Sequence, residues 1–150
     1  MRNYVLIKEK SFDKIRKKIK ENKGKTIIFS GGNDELNRKV LEKENINILL
    51  LNLSEKKDRL KQKDSGFNHV LAKIAKKNNI IIGINLDEII NSKGKNKSEI
   101  LGRIKQNIRL CNKNKLKMKF ISQNGNERNI YDLKALGLVL GMPTWMTKSL

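Results

Sequence analysis

The chain has one cysteine and one histidine, and its 15 acids are far outnumbered by 34 lysines and arginines. Each scarcity excludes something. A lone Cys111 rules out an internal disulfide and fits a reducing compartment. With His69 as the only histidine, His-rich and Cys-rich metal sites are excluded, while an all-carboxylate Mg²⁺ site remains arithmetically possible. No apolar run approaches the roughly 20 residues of a membrane-spanning helix. Tyr4-Val5-Leu6-Ile7 is too short for the core of a signal peptide, and Arg2 leaves no lipidation signal. The expectation is a soluble, cytoplasmic protein.

The scarcity of acids points to a partner. A net charge of +19 costs self-repulsion in a folded chain of 150 residues, and a polyanion offsets that cost. Codon bias in an AT-rich genome would enrich lysine, but it would enrich glutamate with it. Nucleic acid is therefore the expected partner class.

Along the chain, short apolar runs alternate with charged amphipathic stretches. Strands are predicted at Tyr4–Ile7, Thr26–Phe29, Ile48–Leu51, Ile80–Ile84 and Lys119–Ile121, several of them continuously apolar, as strands covered on both faces are. Helices are predicted at Ser11–Glu21, Asp34–Glu44, Asn68–Asn78, Ser98–Lys115 and Ile130–Leu140. Ser11 and Ser98 read as N-caps, and Gly141 with Pro143 as the stop of the last helix. Asn91–Lys97 reads as a mobile loop. The order is βα repeated about five times, which predicts an α/β fold with a parallel sheet in one domain over residues 1–150. In the long helix, Ile100, Leu101, Ile104, Ile108 and Cys111 share one face, and Lys105, Arg109 and Lys113 form a basic stripe opposite.

Catalytic motifs are weak. Gly31-Gly32-Asn33-Asp34 follows a strand but lacks the GK[ST] ending of a P-loop and the GxGxxG spacing, so a tight turn with Asn33 as cap explains it. The aspartates show no paired spacing, and all but Asp87 have a lysine or arginine within four positions, as salt-bridging or capping acids do. No catalytic residue is assigned.

The segment Lys63–Ala75, KDSGFNHVLAKIA, resembles the signature of the ribonuclease P protein component 3 family of archaea and eukaryotes. Four further blocks follow the family in order: Gly31–Arg38 (GGNDELNR), Ile80–Ile90 (IIIGINLDEII), Ile100–Cys111 (ILGRIKQNIRLC) and Asp132–Met142 (DLKALGLVLGM). The likeness covers about residues 26–142. It implies a TIM-barrel-like (β/α) fold related to PHP phosphoesterases without their metal ligands. About five βα units fall short of eight, so the barrel is shortened and open, or completed by a partner. Family members have further βα units before the first strand here and another helix after Gly141.

The resemblance also implies a function: a non-catalytic subunit of ribonuclease P, the ribonucleoprotein that removes the 5′ leader from precursor tRNA. The implied partners are ribonuclease P RNA, precursor tRNA through the complex, protein component 2 and other ribonuclease P subunits. No cofactor belongs to the chain itself, and Mg²⁺ is expected for the RNA-catalysed step. Arg38, Lys63, His69, Lys73 and Arg128 match family positions. Ligands gather at the C-terminal rim of parallel strands, and the loops there carry Lys56, Lys57, Arg59, Lys61, Lys63, Lys93, Lys95, Lys97 and Arg128. Arg38, Arg59, Lys63, Lys73 and Arg128 are the expected RNA contacts. Asp64 is expected to orient the loop, and His69 either braces the helix start or touches RNA. The apolar tail Met142, Trp145, Met146 and Leu150 is expected to meet a protein partner. Two other readings stay open, a standalone RNA-binding protein and a degenerate phosphoesterase using carboxylates alone.

Overall fold

A computed structural model of the chain describes residues 3–54, 65–125 and 127–150. Its elements run β1 (Tyr4–Ile7), α1 (Phe12–Glu21), β2 (Thr26–Gly31), α2 (Asp34–Lys43), β3 (Ile48–Leu51), α3 (His69–Lys77), β4 (Ile81–Asn85), α4 (Leu86–Asn91), α5 (Gly94–Lys113), β5 (Met118–Ile121), α6 (Ile130–Leu140) and α7 (Thr144–Thr147). The five strands form one parallel sheet in sequence order, β1-β2-β3-β4-β5. Right-handed crossovers between sequential parallel strands return every helix to the same side of the sheet. The packing agrees. Ile27, Phe29, Leu49, Leu51, Ile82, Ile84 and Met118 bury against the helices, through Ile15, Val40, Leu71, Ala75, Ile104 and Ile108. Their neighbours in sequence, Ile28, Ile48 and Leu50, gather on the opposite face with Tyr4, Leu6, Ile81 and Ile121. This is the α/β, TIM-barrel-like arrangement in shortened, open form: helices outside, a concave inner face, and, among the described residues, no strand beyond β1 or β5.

Local chemistry sets the helix starts at the C-terminal rim of the sheet. Asparagine caps four of them, accepting backbone N–H bonds at the helix start: Asn33 from Glu35 (2.8 Å), Asn68 from Leu71 (3.0 Å), Asn85 from Glu88 (3.3 Å) and Asn129 from Asp132 (2.9 Å). The turn at Gly31–Asn33 is thus a capped strand-to-helix turn. Gly31 is required for packing, since a Cβ there would overlap the Oδ1 of the buried Asn37 and come within 2.8 Å of the Phe29 ring.

Four expectations are corrected. Ser98 caps nothing, because α5 begins at Gly94 and Ser98 lies inside it. Ser11 does stand at the N-cap of α1, but makes no side-chain cap bond. Asn91–Lys97 is not a loop, since α4 ends at Asn91 and α5 takes up the chain three residues later. Burial of Ile100, Ile104, Ile108 and Cys111 overrides the weak start of that helix. Finally, the apolar tail folds back instead of projecting. Gly141, at φ +103°, ends α6, with the Met142 N–H donating to the Gly137 carbonyl at 2.8 Å. Met142 and Met146 are buried, and the Trp145 Nε1–H donates to Asn112 Oδ1 at 3.0 Å.

Candidate nucleic-acid interface

Three strand ends build a polar ledge on the inner side of the rim. Asn85 Nδ2 donates to Asn52 Oδ1 at 3.3 Å, and Asn52 Nδ2 donates to Ser30 Oγ at 2.6 Å. This chain of uncharged groups links β2, β3 and β4. Beside it, α4 presents two acids, both already engaged by the flanking loops. Asp87, almost fully buried, accepts from Ser122 Oγ and from the Gln123 N–H, each at 2.8 Å. Glu88 accepts from the Leu53 N–H at 2.9 Å and from Ser54 Oγ at 2.9 Å. So α4 ties the loop after β5 to the loop after β3.

A second brace comes from outside the sheet. Arg103 of α5 is 2% exposed, and its Nη1 donates to the Leu53 carbonyl at 3.1 Å. It fixes the start of the segment that leads to α3. Between the braces lies a rim cavity of about 320 Å³, lined by Lys8, Ser54, Asn91, Asn96, Gln123 and Asn124 among others.

This donor set does not suit a cation. The ledge is neutral, the carboxylate oxygens of Asp87 and Glu88 accept from protein donors, and among the described residues no three His, Cys, Asp or Glu side chains are grouped to hold a metal.

The electrostatics differ from sector to sector. α1, α2, α4 and α6 carry an acid in the first turn, which complements the positive end of the helix dipole. α3 and α5, which pack on each other, carry none. Their starts instead hold His69 and Lys73, and Lys93, Lys95 and Lys97, all exposed except the half-buried Lys97. Lys93, Lys95 and Lys97 at the start of α5, with Lys73 one turn into α3, form a positive sector, and neither helix has an acid in its first turn.

The expected site residues fall in different places. His69 is exposed as the first residue of α3, and it is Asn68 that caps the helix. Lys73 is exposed one turn later. Arg38 lies on the neighbouring α2, with Nε 3.0 Å from Glu42 Oε1. Arg128 is exposed in the loop after β5 and lines the inner-face cavity. Arg59, Lys63 and Asp64 lie outside the described residues. The stripe of Lys105, Arg109 and Lys113 is exposed on α5 as expected.

Sequence reasoning missed Lys8 and Arg103. Lys8 closes β1 and lines the rim cavity, in a rim loop that was overlooked. Arg103 sits on the buried arc of α5, where helical spacing from Ile100 and Ile104 could have placed it.

Comparison with known proteins follows this geometry. Residues 5–149 match the family model described as RNase P subunit p30. The chain is 30% identical over 139 residues to ribonuclease P protein component 3 of Methanococcus maripaludis, covering 91% of this chain and 56% of that protein. It is 30% identical over 149 residues to component 3 of Methanocaldococcus jannaschii, covering 96% and 62%. Among solved structures, it matches a chain of the cryo-EM structure of archaeal ribonuclease P with mature tRNA. The TM-score is 0.77 at 29% identity, over 97% of this chain and 62% of that one. The chain thus spans about 60% of the length of these relatives. With the family model matched from β1 to the residue before the last, the chain belongs to the RNase P subunit p30 family.

Proposed function

We propose that the chain acts as a non-catalytic protein subunit of ribonuclease P, binding and steadying the RNA that cleaves precursor tRNA. The observation that carries this reading is the match of nearly the whole chain to the family, in a fold shared with a chain of archaeal ribonuclease P. The charge agrees, because a protein of net charge +19 gains affinity for RNA by releasing counterions from phosphates.

In this reading the positive sector at the starts of α3 and α5 faces the RNA. Lys73, with Lys63 and Arg59 from the preceding segment, neutralises phosphates there, while Arg128 does so from the loop after β5 and Arg38 from α2. Asp64 orients its loop, and His69 stands at the rim beside the contact. The Ser30–Asn52–Asn85 ledge and the Asp87, Glu88 and Arg103 braces fix the residues just after β3 and β5 from which this surface is built. Mg²⁺ would serve the RNA-catalysed hydrolysis, and no residue of this chain is assigned to hold it. Component 2 and the other protein subunits are the protein partners, and the setting is the cytoplasm.

Reconstitution of the cognate RNA and subunits, with and without this chain, tests the proposal. Precursor-tRNA cleavage should rise when the chain is added, and the isolated chain should bind RNA in a salt-sensitive way but cleave nothing. Mg²⁺-dependent cleavage by the chain alone would point instead to a phosphoesterase. Unchanged cleavage in the reconstituted complex would leave a standalone RNA-binding protein.

A further inference from the structure

The rim mixes its cations with acids, since Asp34, Glu35, Asp87, Glu88 and Asp132 stand in the first turns of their helices. The opposite face, where the five parallel strands begin, has a different balance. Lys23 and Lys25 lie between α1 and β2, Lys76 and Lys77 end α3, and Lys115 and Lys117 lie between α5 and β5. All six are exposed, and among the described residues none is in an ion pair. Of the acids nearby, Glu42 and Glu44 are paired with Arg38 and Arg16, at 3.0 and 2.9 Å, which leaves Glu21 at the end of α1. A lysine in a last helical turn is ordinarily there for the helix dipole, as Lys43 of α2 is. That does not account for the lysines beyond the helix ends, nor for two details of their geometry. Lys76 Nζ donates to the Lys115 carbonyl at 3.1 Å, which draws cations of two elements together. Lys115 itself has φ +56°, just past the Asn114 cap of α5, in the left-handed position that glycine or asparagine fills without strain. Around the start of β2, moreover, a groove of about 570 Å³ is lined by Lys20, Asn22, Lys23, Lys25, Asn45 and Asn47 among others, and no acid lines it.

We propose that this face is a second RNA surface, which holds the phosphate backbone of a double-helical segment. The inference rests on the ribonuclease P reading and adds to it a site away from the rim. Hydrogen-bonded strands are about 4.8 Å apart, so the lysines from β2 to β5 spread over roughly 15 Å. Charges in such a row suit a chain of phosphates better than a single anion. Lysine is a point charge on a flexible stem, and duplex RNA is recognised through its shape and backbone rather than its base edges. Recognition of single strands relies on stacking instead. The Trp145 ring is half-buried and already has Lys115 Nζ against it, 5.6 Å from its centroid.

The test uses the full 150-residue chain and a labelled RNA duplex of about 16 base pairs, the span of two successive minor grooves. Binding is followed by the anisotropy of the label and by the emission of Trp145, the only tryptophan, which should change because it lies beside Lys115. Replacing Lys25, Lys77 and Lys117 by Gln (K25Q/K77Q/K117Q) should weaken binding by at least about tenfold at about 0.15 M salt, and lower the log–log salt slope by about 2–3. K25R/K77R/K117R keeps the charge and should bind within about threefold of the parent. K14Q/K17Q/K105Q removes the same charge from the outer surfaces of α1 and α5, and should weaken binding by less than about threefold. All six positions are exposed, so no variant loses a packed side chain. Duplex binding by K25Q/K77Q/K117Q equal to the parent's overturns the inference. So does an equal loss in K14Q/K17Q/K105Q, since net charge alone is then the cause. If K25Q/K77Q/K117Q keeps its duplex affinity but no longer joins a protein subunit in reconstituted ribonuclease P, the face belongs to a protein and the RNA assignment is wrong. RNA bound through the rim lysines alone defeats only this inference, whereas a chain that binds no RNA at all defeats the ribonuclease P reading with it.

Discussion

Removing the Asp87 carboxylate separates bracing of the rim from simple charge. Asp87→Ala strands two donors, the Ser122 hydroxyl and the Gln123 N–H, each 2.8 Å from a carboxylate oxygen. A hydrogen bond to a charged group contributes about 1.5–3 kcal/mol. Part of the loss is offset because a buried carboxylate no longer has to be desolvated. The expected net cost is about 2–4 kcal/mol, or a fall in Tm of about 5–15 °C for a chain of this size. Asp87→Asn keeps one acceptor oxygen and should lose about half as much. RNA binding then decides the role. D87N raises the net charge from +19 to +20, so a pure field effect would tighten binding. If Asp87 positions the loop that carries Arg128, affinity instead stays level or falls despite the extra charge. Thermal melts by circular dichroism and filter binding at fixed salt measure both. A Tm shift below about 2 °C for D87A, or tighter RNA binding by D87N, refutes the bracing argument.

Replacing Lys63, Lys73 and Arg128 together by Ala should lower the log–log salt slope of single-stranded RNA binding by about 2, and should weaken reconstituted cleavage. Equal or greater damage from Lys105, Arg109 and Lys113 would move the interface to the outer face of α5. Gly31→Ala should lower stability by about 1–3 kcal/mol by overpacking against Asn37, with partial recovery in the G31A/N37A double variant. A G31A urea midpoint equal to the parent's would contradict this. Burial pushes the Cys111 thiol up from 9.0 to about 12. The folded state therefore keeps a proton that the unfolded state releases, and stability present below pH 9 is lost as pH rises toward 12. Urea midpoints across that window should fall less steeply for Cys111→Ala, and parallel pH profiles would count against it.

The strands were legible because their physics is local. Ile48–Leu51 is a continuous apolar run, and it forms a strand buried at all four residues. Ile130–Leu140 was legible at its end, through the Gly141 stop, whereas the Asn129 cap at its start emerges only from the structure. The start of α5 was not, since Gly94, Lys95, Asn96 and Lys97 have the composition of a loop. Those residues are helical because the apolar face one turn later packs on the rest of the fold. Asp87 stood out as the aspartate without a nearby cation, but its partners lie 35 and 36 residues away in sequence, where no local pattern reaches. Arg103 was missed because arginine is rarely fully buried, although its spacing already places it on the buried arc. The exposed apolar surface was sought in the tail, where the side chains are mostly apolar. Only the packing of α7 against the core reveals that α6 carries it.

The sequential order of the strands also bears on how the molecule comes apart. Each strand pairs only with its immediate predecessor and successor, between positions such as Ile28 and Ile48 or Ile82 and Met118. Among the described residues no pairing joins the two ends of the sheet, which is thus a short linear array whose members depend on their neighbours, much as in a solenoid. In such an array the middle is held from two sides and the ends from one. β3, flanked by β2 and β4, should therefore open last, while β1 and β5 fray independently of each other. Loss of an end unit leaves the remaining array paired, and addition of one extends it without rearrangement. Length can vary here by whole units, while the rim between β2 and β4 keeps its geometry.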